Sequence, residues 1–162
     1  MHTYPLQAHG RTQLATNFYL DEWNCKDGTT VPEQYFWNTF AIATELQELR
    51  NHLNAKYSVM LGRAVTTTIN SGYRSTSYNK SVGGVRERRS FTGRLKRIGS
   101  RHLYGQAADI SVDGLDTSVV YLEVKALQAT GHLKHIGGIG VYDTFIHLDA
   151  RTVPAFWDER TR

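Results

Sequence analysis

The chain has 162 residues, 40 % hydrophobic and 21 % charged, a globular mixture sized for one domain. Its formal charge of +4 and pI near 9.3 favour anionic partners only weakly. The single cysteine, Cys25, excludes an internal disulfide and a cysteine-ligated zinc site within the chain. No window approaches the ~18 consecutive apolar residues of a membrane helix, so no membrane insertion is expected. The N-terminal stretch from Met1 to His9 lacks the basic and apolar regions of a signal peptide. The expectation is a chain made in a cytoplasm with no export signal of its own.

Residues 1–16 are polar and read as an irregular N-terminal arm, with 17–158 as a single domain. Asn17 to Trp23 alternates aromatic and polar residues and runs into a turn signal, Cys25-Lys26-Asp27-Gly28-Thr29. Pro32-Glu33 opens a helix, proline suiting the first turn and the acid suiting the dipole. Phe36, Phe40, Ala43, Leu46 and Leu49 keep helical spacing down to about Leu53. Val65 to Ile69 reads as a strand ending in Asn70-Ser71-Gly72-Tyr73-Arg74. Ser77 to Val82 reads as a short helix stopped by Gly83-Gly84.

Residues 85–101 form a basic, glycine-punctuated loop with Arg86, Arg88, Arg89, Arg94, Lys96, Arg97 and Arg101 against one acid, Glu87. Ala107 to Val112 is a strand, Thr117 to Thr130 a helix with a Gly131 stop, and Gly137 to Tyr142 with Phe145 to Leu148 the last strands. His132 and His135 flank Lys134 and read as an exposed turn rather than a second metal site. The order predicts an α+β fold, a small mostly antiparallel sheet flanked by helices. No G-x-G-x-x-G opens a helix after a strand, so dinucleotide binding is not expected.

The chemistry concentrates in Ser100-Arg101-His102-Leu103-Tyr104-Gly105-Gln106-Ala107-Ala108-Asp109 and, far along the chain, Phe145-Ile146-His147-Leu148-Asp149. Two imidazoles and a carboxylate suit a hydrolytic zinc, and three protein donors leave a fourth position for water. Gly105, Ala107 and Ala108 are small enough for the His102 loop to fold back on Asp109. His147 and Asp149, two apart in a strand, share a face. Asp149 then lies beside the site, able to orient an imidazole or act on the water.

The pattern S-x-H-x-x-G-x-A-x-D, then G-G-I-G and F-I-H-x-D, resembles the D-alanyl-D-alanine carboxypeptidase-like zinc peptidases of the lysostaphin, D-Ala-D-Ala peptidase and hedgehog fold group. Ser71-Gly72-Tyr73-Arg74-Ser75, Asn79 and Val82-Gly83-Gly84 extend the resemblance, which covers about Phe18 to Trp157 and is nearest to short single-domain phage and prophage forms. It implies a zinc site on the sheet face, with His102, Asp109 and His147 as the ligands of Zn2+. It places Arg74 at the substrate carbonyl or oxyanion, and Ser100 and Tyr73 along the cleft. The implied activity is hydrolysis of peptide bonds in bacterial peptidoglycan, as carboxypeptidase or endopeptidase, in a phage lysis or virion-associated enzyme.

The chain departs from that group in two places. Where many members carry an acid three residues before the last histidine, this chain has Thr144. Asp149 is therefore the favoured base or orienting acid, and Asp143 the alternative. The basic 85–101 loop is longer than the group's usual connection and reads either as a solvated insertion or as an electropositive rim for anionic wall polymer. A rival reading is a non-catalytic wall-binding or virion tail component, docked on other tail proteins, that keeps the fold. Nucleic-acid binding is disfavoured, because no stacking aromatics interleave the basic residues.

Overall fold

The structure, a computed structural model, describes residues 7–8, 11–86 and 99–161. Its centre is a five-stranded sheet. β4 (Thr67–Ser71) pairs antiparallel with β5 (Ala107–Val112), β5 with β7 (Ile146–Asp149), and β7 with β6 (Gly138–Val141). β8 (Ala155–Asp158) closes the order β4-β5-β7-β6-β8, running parallel to β6. The fold is thus α+β with a mostly antiparallel sheet, as the pattern along the chain predicts.

Alternation along the strands divides the sheet into two faces. Ala108 and Ile110 of β5, Ile139 and Val141 of β6, and Ile146 and Leu148 of β7 enter the hydrophobic core. That face meets two helices, α1 (Phe36–Leu61) and α3 (Thr117–Ala129), through Ile42, Leu46 and Leu49 of the first and Val120, Val124 and Leu127 of the second. Each such side chain, taken out of water, contributes about 1.5–3 kcal/mol before conformational entropy is counted. The alternate positions, Asp109, His147, Asp149, Gly138 and Gly140, therefore lie on the opposite face.

The helix expected to end near Leu53 begins with a 3-10 turn at Glu33–Tyr35 and runs on to Leu61. Its last two turns set only the partly buried Tyr57 and Leu61 against the core, and Val59 and Met60 are exposed. Asn54 ties this end of the helix to the chain that follows: its amide donates to the Val65 carbonyl at 2.8 Å and accepts from the Val65 N–H at 2.9 Å. β4 starts two residues later than the β-branched run suggests. After β4, α2 (Thr76–Ser81) is capped by the Ser75 hydroxyl, which accepts from the Tyr78 N–H at 3.1 Å.

Residues 11–15, read from the sequence as part of an irregular arm, form a strand. β1 (Gln7–Ala8), β2 (Arg11–Ala15) and β3 (Phe18–Tyr19) make a small antiparallel sheet over α1, anchored by Leu14 and Phe18 in the core. The basic segment 87–98, which contains most of the expected loop insertion, lies outside the described residues. No helix among the described residues is long and apolar enough to cross a membrane.

Candidate metal centre

Three segments meet on the sheet face away from the helices. A 3-10 turn, Arg101–Tyr104, carries His102 and ends at Gly105, whose φ of 63° is left-handed. A side chain at Gly105 would also strike the Thr39 hydroxyl, with Cβ 2.6 Å from it, so glycine is what lets the turn drop straight into β5. The backbone register then sets Asp109 directly opposite His147. The stretch before α2 docks on the same turn, Arg74 N–H donating to the His102 carbonyl at 3.1 Å.

The donor atoms converge. His147 Nδ1 lies 2.8 Å from Asp109 Oδ1, His102 Nε2 3.3 Å from the same oxygen, and the two ring nitrogens 3.2 Å from each other. All three residues are buried. Among the described residues they are the one group of three or more histidine, cysteine, aspartate or glutamate side chains that close together.

The outer atoms of each donor are fixed as well. His102 Nδ1 sits 2.6 Å from the Gly72 carbonyl, which can only accept, so this nitrogen carries the proton and Nε2 presents its lone pair inward. His147 Nε2 lies 2.9 Å from Asp149 Oδ2, which likewise leaves Nδ1 facing the cluster. Asp109 Oδ2 accepts from Arg74 Nη2, whose Nε is held by the Ser71 hydroxyl at 2.9 Å, leaving Oδ1 for the centre. An imidazole whose far nitrogen is tied to a carboxylate or carbonyl is the usual support of a metal-ligating histidine.

Electrostatics point the same way. Burial pushes the Asp109 carboxyl up, but the hydrogen bonds and charges of the two histidines outweigh it and hold the group well below the usual carboxylate range. Burial lowers His102, favouring the neutral ring. His147 is also pushed down by burial, yet Asp109 and Asp149 together raise it, favouring a protonated ring with which a metal would compete. Donor atoms 2.8–3.3 Å apart suit one small cation bound at about 2.0–2.2 Å.

A cleft of about 580 Å³ opens beside the donors. Arg74 and Ser100 line it, and so do Tyr142, Phe145 and Trp157. Tyr73 does not line it: the ring is buried, tilted against Tyr35 at 6.1 Å between centroids. Asp143 lies away from the cleft, on the exposed turn between β6 and β7, where it accepts from the Thr161 N–H and hydroxyl. Asp149 is fully buried, with both oxygens engaged by His147 and Arg151. Its geometry is that of an orienting acid. His132 and His135 pair separately, with Glu48 and Glu45 of α1.

Sequence reasoning did not single out Arg151, Tyr142 or Trp157. Arg151 lies two residues past Asp149, a spacing at which a returning guanidinium can reach the acid. Trp157 gives no such sign, because its place depends on the parallel pairing of β8 with β6.

Fold and site together define a mixed α+β domain with a buried His-Asp-His cluster open to a cleft. A family model described as peptidase M15 matches residues 16–149, and the chain belongs to that family. It is accordingly a metallopeptidase of a zinc-dependent class. No match was found among curated proteins or among solved structures.

Proposed function

We propose that this chain is a zinc-dependent peptidase that hydrolyses peptide bonds in the stem or cross-bridge of bacterial peptidoglycan, with His102, Asp109 and His147 as the metal ligands. The observation that carries the reading is the proton accounting at the cluster. With both rings neutral, Gly72 and Asp149 claim the ring protons, and three lone pairs face one another in a buried space. Only a cation, or a proton held on His147, relieves that arrangement.

Zinc held there supplies a Lewis acid and lowers the pKa of a bound water toward ~7. The protein's part is orientation. Asp149 holds His147, Arg74 holds Asp109, and the Gly72 carbonyl holds His102. Arg74 and Ser100 are among the polar groups of the cleft that can meet a substrate. Family membership supports the peptidoglycan substrate class.

The test is zinc per chain in the wild type and in His147→Ala, with release of new amino groups from purified peptidoglycan. We expect near-stoichiometric zinc and turnover in the wild type and strong loss of both in the variant. Equal metal content in the two proteins would remove His147 from the ligand set. Metal without amine release would favour a non-catalytic wall-binding protein.

A further inference from the structure

The wall of the cleft built by β6, β7 and β8 contains a hydroxyl whose proton no described residue accepts. The Trp157 indole N–H donates to the Tyr142 hydroxyl oxygen at 3.0 Å. A phenol oxygen that accepts in this way still has its own proton to give. Among the described residues no acceptor lies within hydrogen-bonding distance of that proton, and Tyr142 lines the same cleft as the three donors. The ring has little room to swing, since it stacks on Phe145 at 4.2 Å between centroids and 10° between planes.

Trp157 is itself fixed from several sides. Its ring lies 5.2 Å from that of His147, and the Arg151 guanidinium sits over its face at 4.9 Å. Arg151 in turn grips Asp149. The register sets Gly140 between His147 on one side and Trp157 on the other. A Cβ at Gly140 would stand 2.4 Å from the indole, and one at Gly138 would stand 2.5 Å from the Asp149 carboxylate. The Gly138-Ile139-Gly140 run therefore exists to let the indole and the Asp149–Arg151 pair cross β6. Trp157 and Arg151 both lie beyond the span matched by the family.

The chemistry leaves a role for such a proton. Asp109 is the one carboxylate among the described residues lining the cleft, and it belongs to the cluster. The Arg74 and Arg151 guanidiniums, which also line the cleft, are each tied to a carboxylate, Asp109 and Asp149. An uncharged donor on the wall of such a cleft can stabilise negative charge that develops on an acyl oxygen.

We propose that Tyr142 is a catalytic residue of this site: its phenol proton, turned toward the cleft by the Trp157 indole, hydrogen-bonds the oxygen of the scissile carbonyl as that oxygen becomes negative. Trp157 is the positioning residue. The inference rests on the peptidase reading and deepens it.

The experiment compares wild type, Tyr142→Phe, Trp157→Phe and the double variant. Zinc content, thermal midpoint, kcat and KM on a peptidoglycan stem peptide, and affinity for a phosphinate dipeptide that mimics the tetrahedral adduct are measured for each. Tyr142→Phe is expected to keep zinc, midpoint and KM, and to lose about 10²-fold in kcat and a comparable factor in phosphinate affinity. Trp157→Phe, which keeps a ring and loses the N–H, should show a smaller loss of the same kind. The double variant should be no worse than Tyr142→Phe. Wild-type kcat and phosphinate affinity in Tyr142→Phe, or loss of zinc from it, would overturn the role for Tyr142. Additive losses in the double variant would overturn the role for Trp157. A wild-type protein that binds neither zinc nor phosphinate would instead sink the peptidase reading, and this inference with it.

Discussion

Which nitrogen of each histidine faces the cluster is decided by atoms on the far side of the ring, and that gives Asp149 its importance. Its carboxylate holds His147 Nε2 at 2.9 Å and is clamped by Arg151 from the backbone N–H at 3.0 Å and from Nε at 2.8 Å. Asp149→Asn removes the charge that keeps the His147 proton on Nε2. Zinc affinity is expected to fall by about 10- to 100-fold, read by competition with a chelator of known strength. Undiminished affinity would mean that the backbone alone orients the ring. Asp143→Asn serves as the contrast. That acid caps the Thr161 end of the chain, so zinc affinity and turnover should both stay at the wild-type level. The period of two along a strand made the His147–Asp149 partnership legible in the sequence. The occupation of Asp149 by Arg151 was not legible, because it depends on how the chain turns after β7.

At the scale of elements, the turn that delivers His102 depends on Gly105. Its left-handed backbone costs an L-residue about 1–2 kcal/mol, and the nearby Thr39 hydroxyl adds crowding. Gly105→Ala is therefore expected to lower stability by roughly 2–3 kcal/mol, seen as a lower urea midpoint with unchanged slope, and to weaken zinc binding with it. A variant as stable as wild type would show that the turn has room to relax. The strands that carry the donors were readable because their core residues alternate: Ala108 and Ile110, then Ile146 and Leu148, point one way, and Asp109 and His147 the other. Elements without such a stripe were not. The last two turns of α1 set only the partly buried Tyr57 and Leu61 against the core, and are tied down by Asn54 on Val65 and by Lys56 and Tyr57 on Glu123. β2 buries only Leu14. β8 is four residues long and pairs in parallel with a strand well before it in the chain, so no local pattern marks it.

Across the whole molecule, the two helices under the sheet are joined by a buried charge. Glu123 sits on α3 between the core positions Val120 and Val124, yet it is nearly fully buried. Three side chains of α1 converge on it: Lys56 Nζ at 2.7 Å, the Tyr57 hydroxyl at 2.6 Å and His52 Nε2 at 2.6 Å. Burial alone would raise its pKa, but Lys56, Tyr57 and His52 outweigh that and hold it down at about 2. A carboxylate depressed in the folded state binds a proton more readily in the unfolded state. The stability it contributes is thus fully present above its unfolded pKa of about 4.5, and is lost as the pH falls from there toward 2. Because Lys56 is half exposed, its share is screened, and the contribution at neutral pH is roughly 1–3 kcal/mol. Glu123→Gln should be less stable than wild type by that amount near pH 7. The gap should close between about pH 4.5 and pH 2, when urea unfolding is followed at stepped pH on both proteins. Asp109, Asp149 and Asp27 are depressed as well and destabilise both proteins together in acid, so the difference between the curves isolates Glu123. Parallel curves across that window would show that the α1–α3 clamp does not depend on the charge of this acid, and that the helices hold together through Leu46, Leu49, Val120 and Val124 alone.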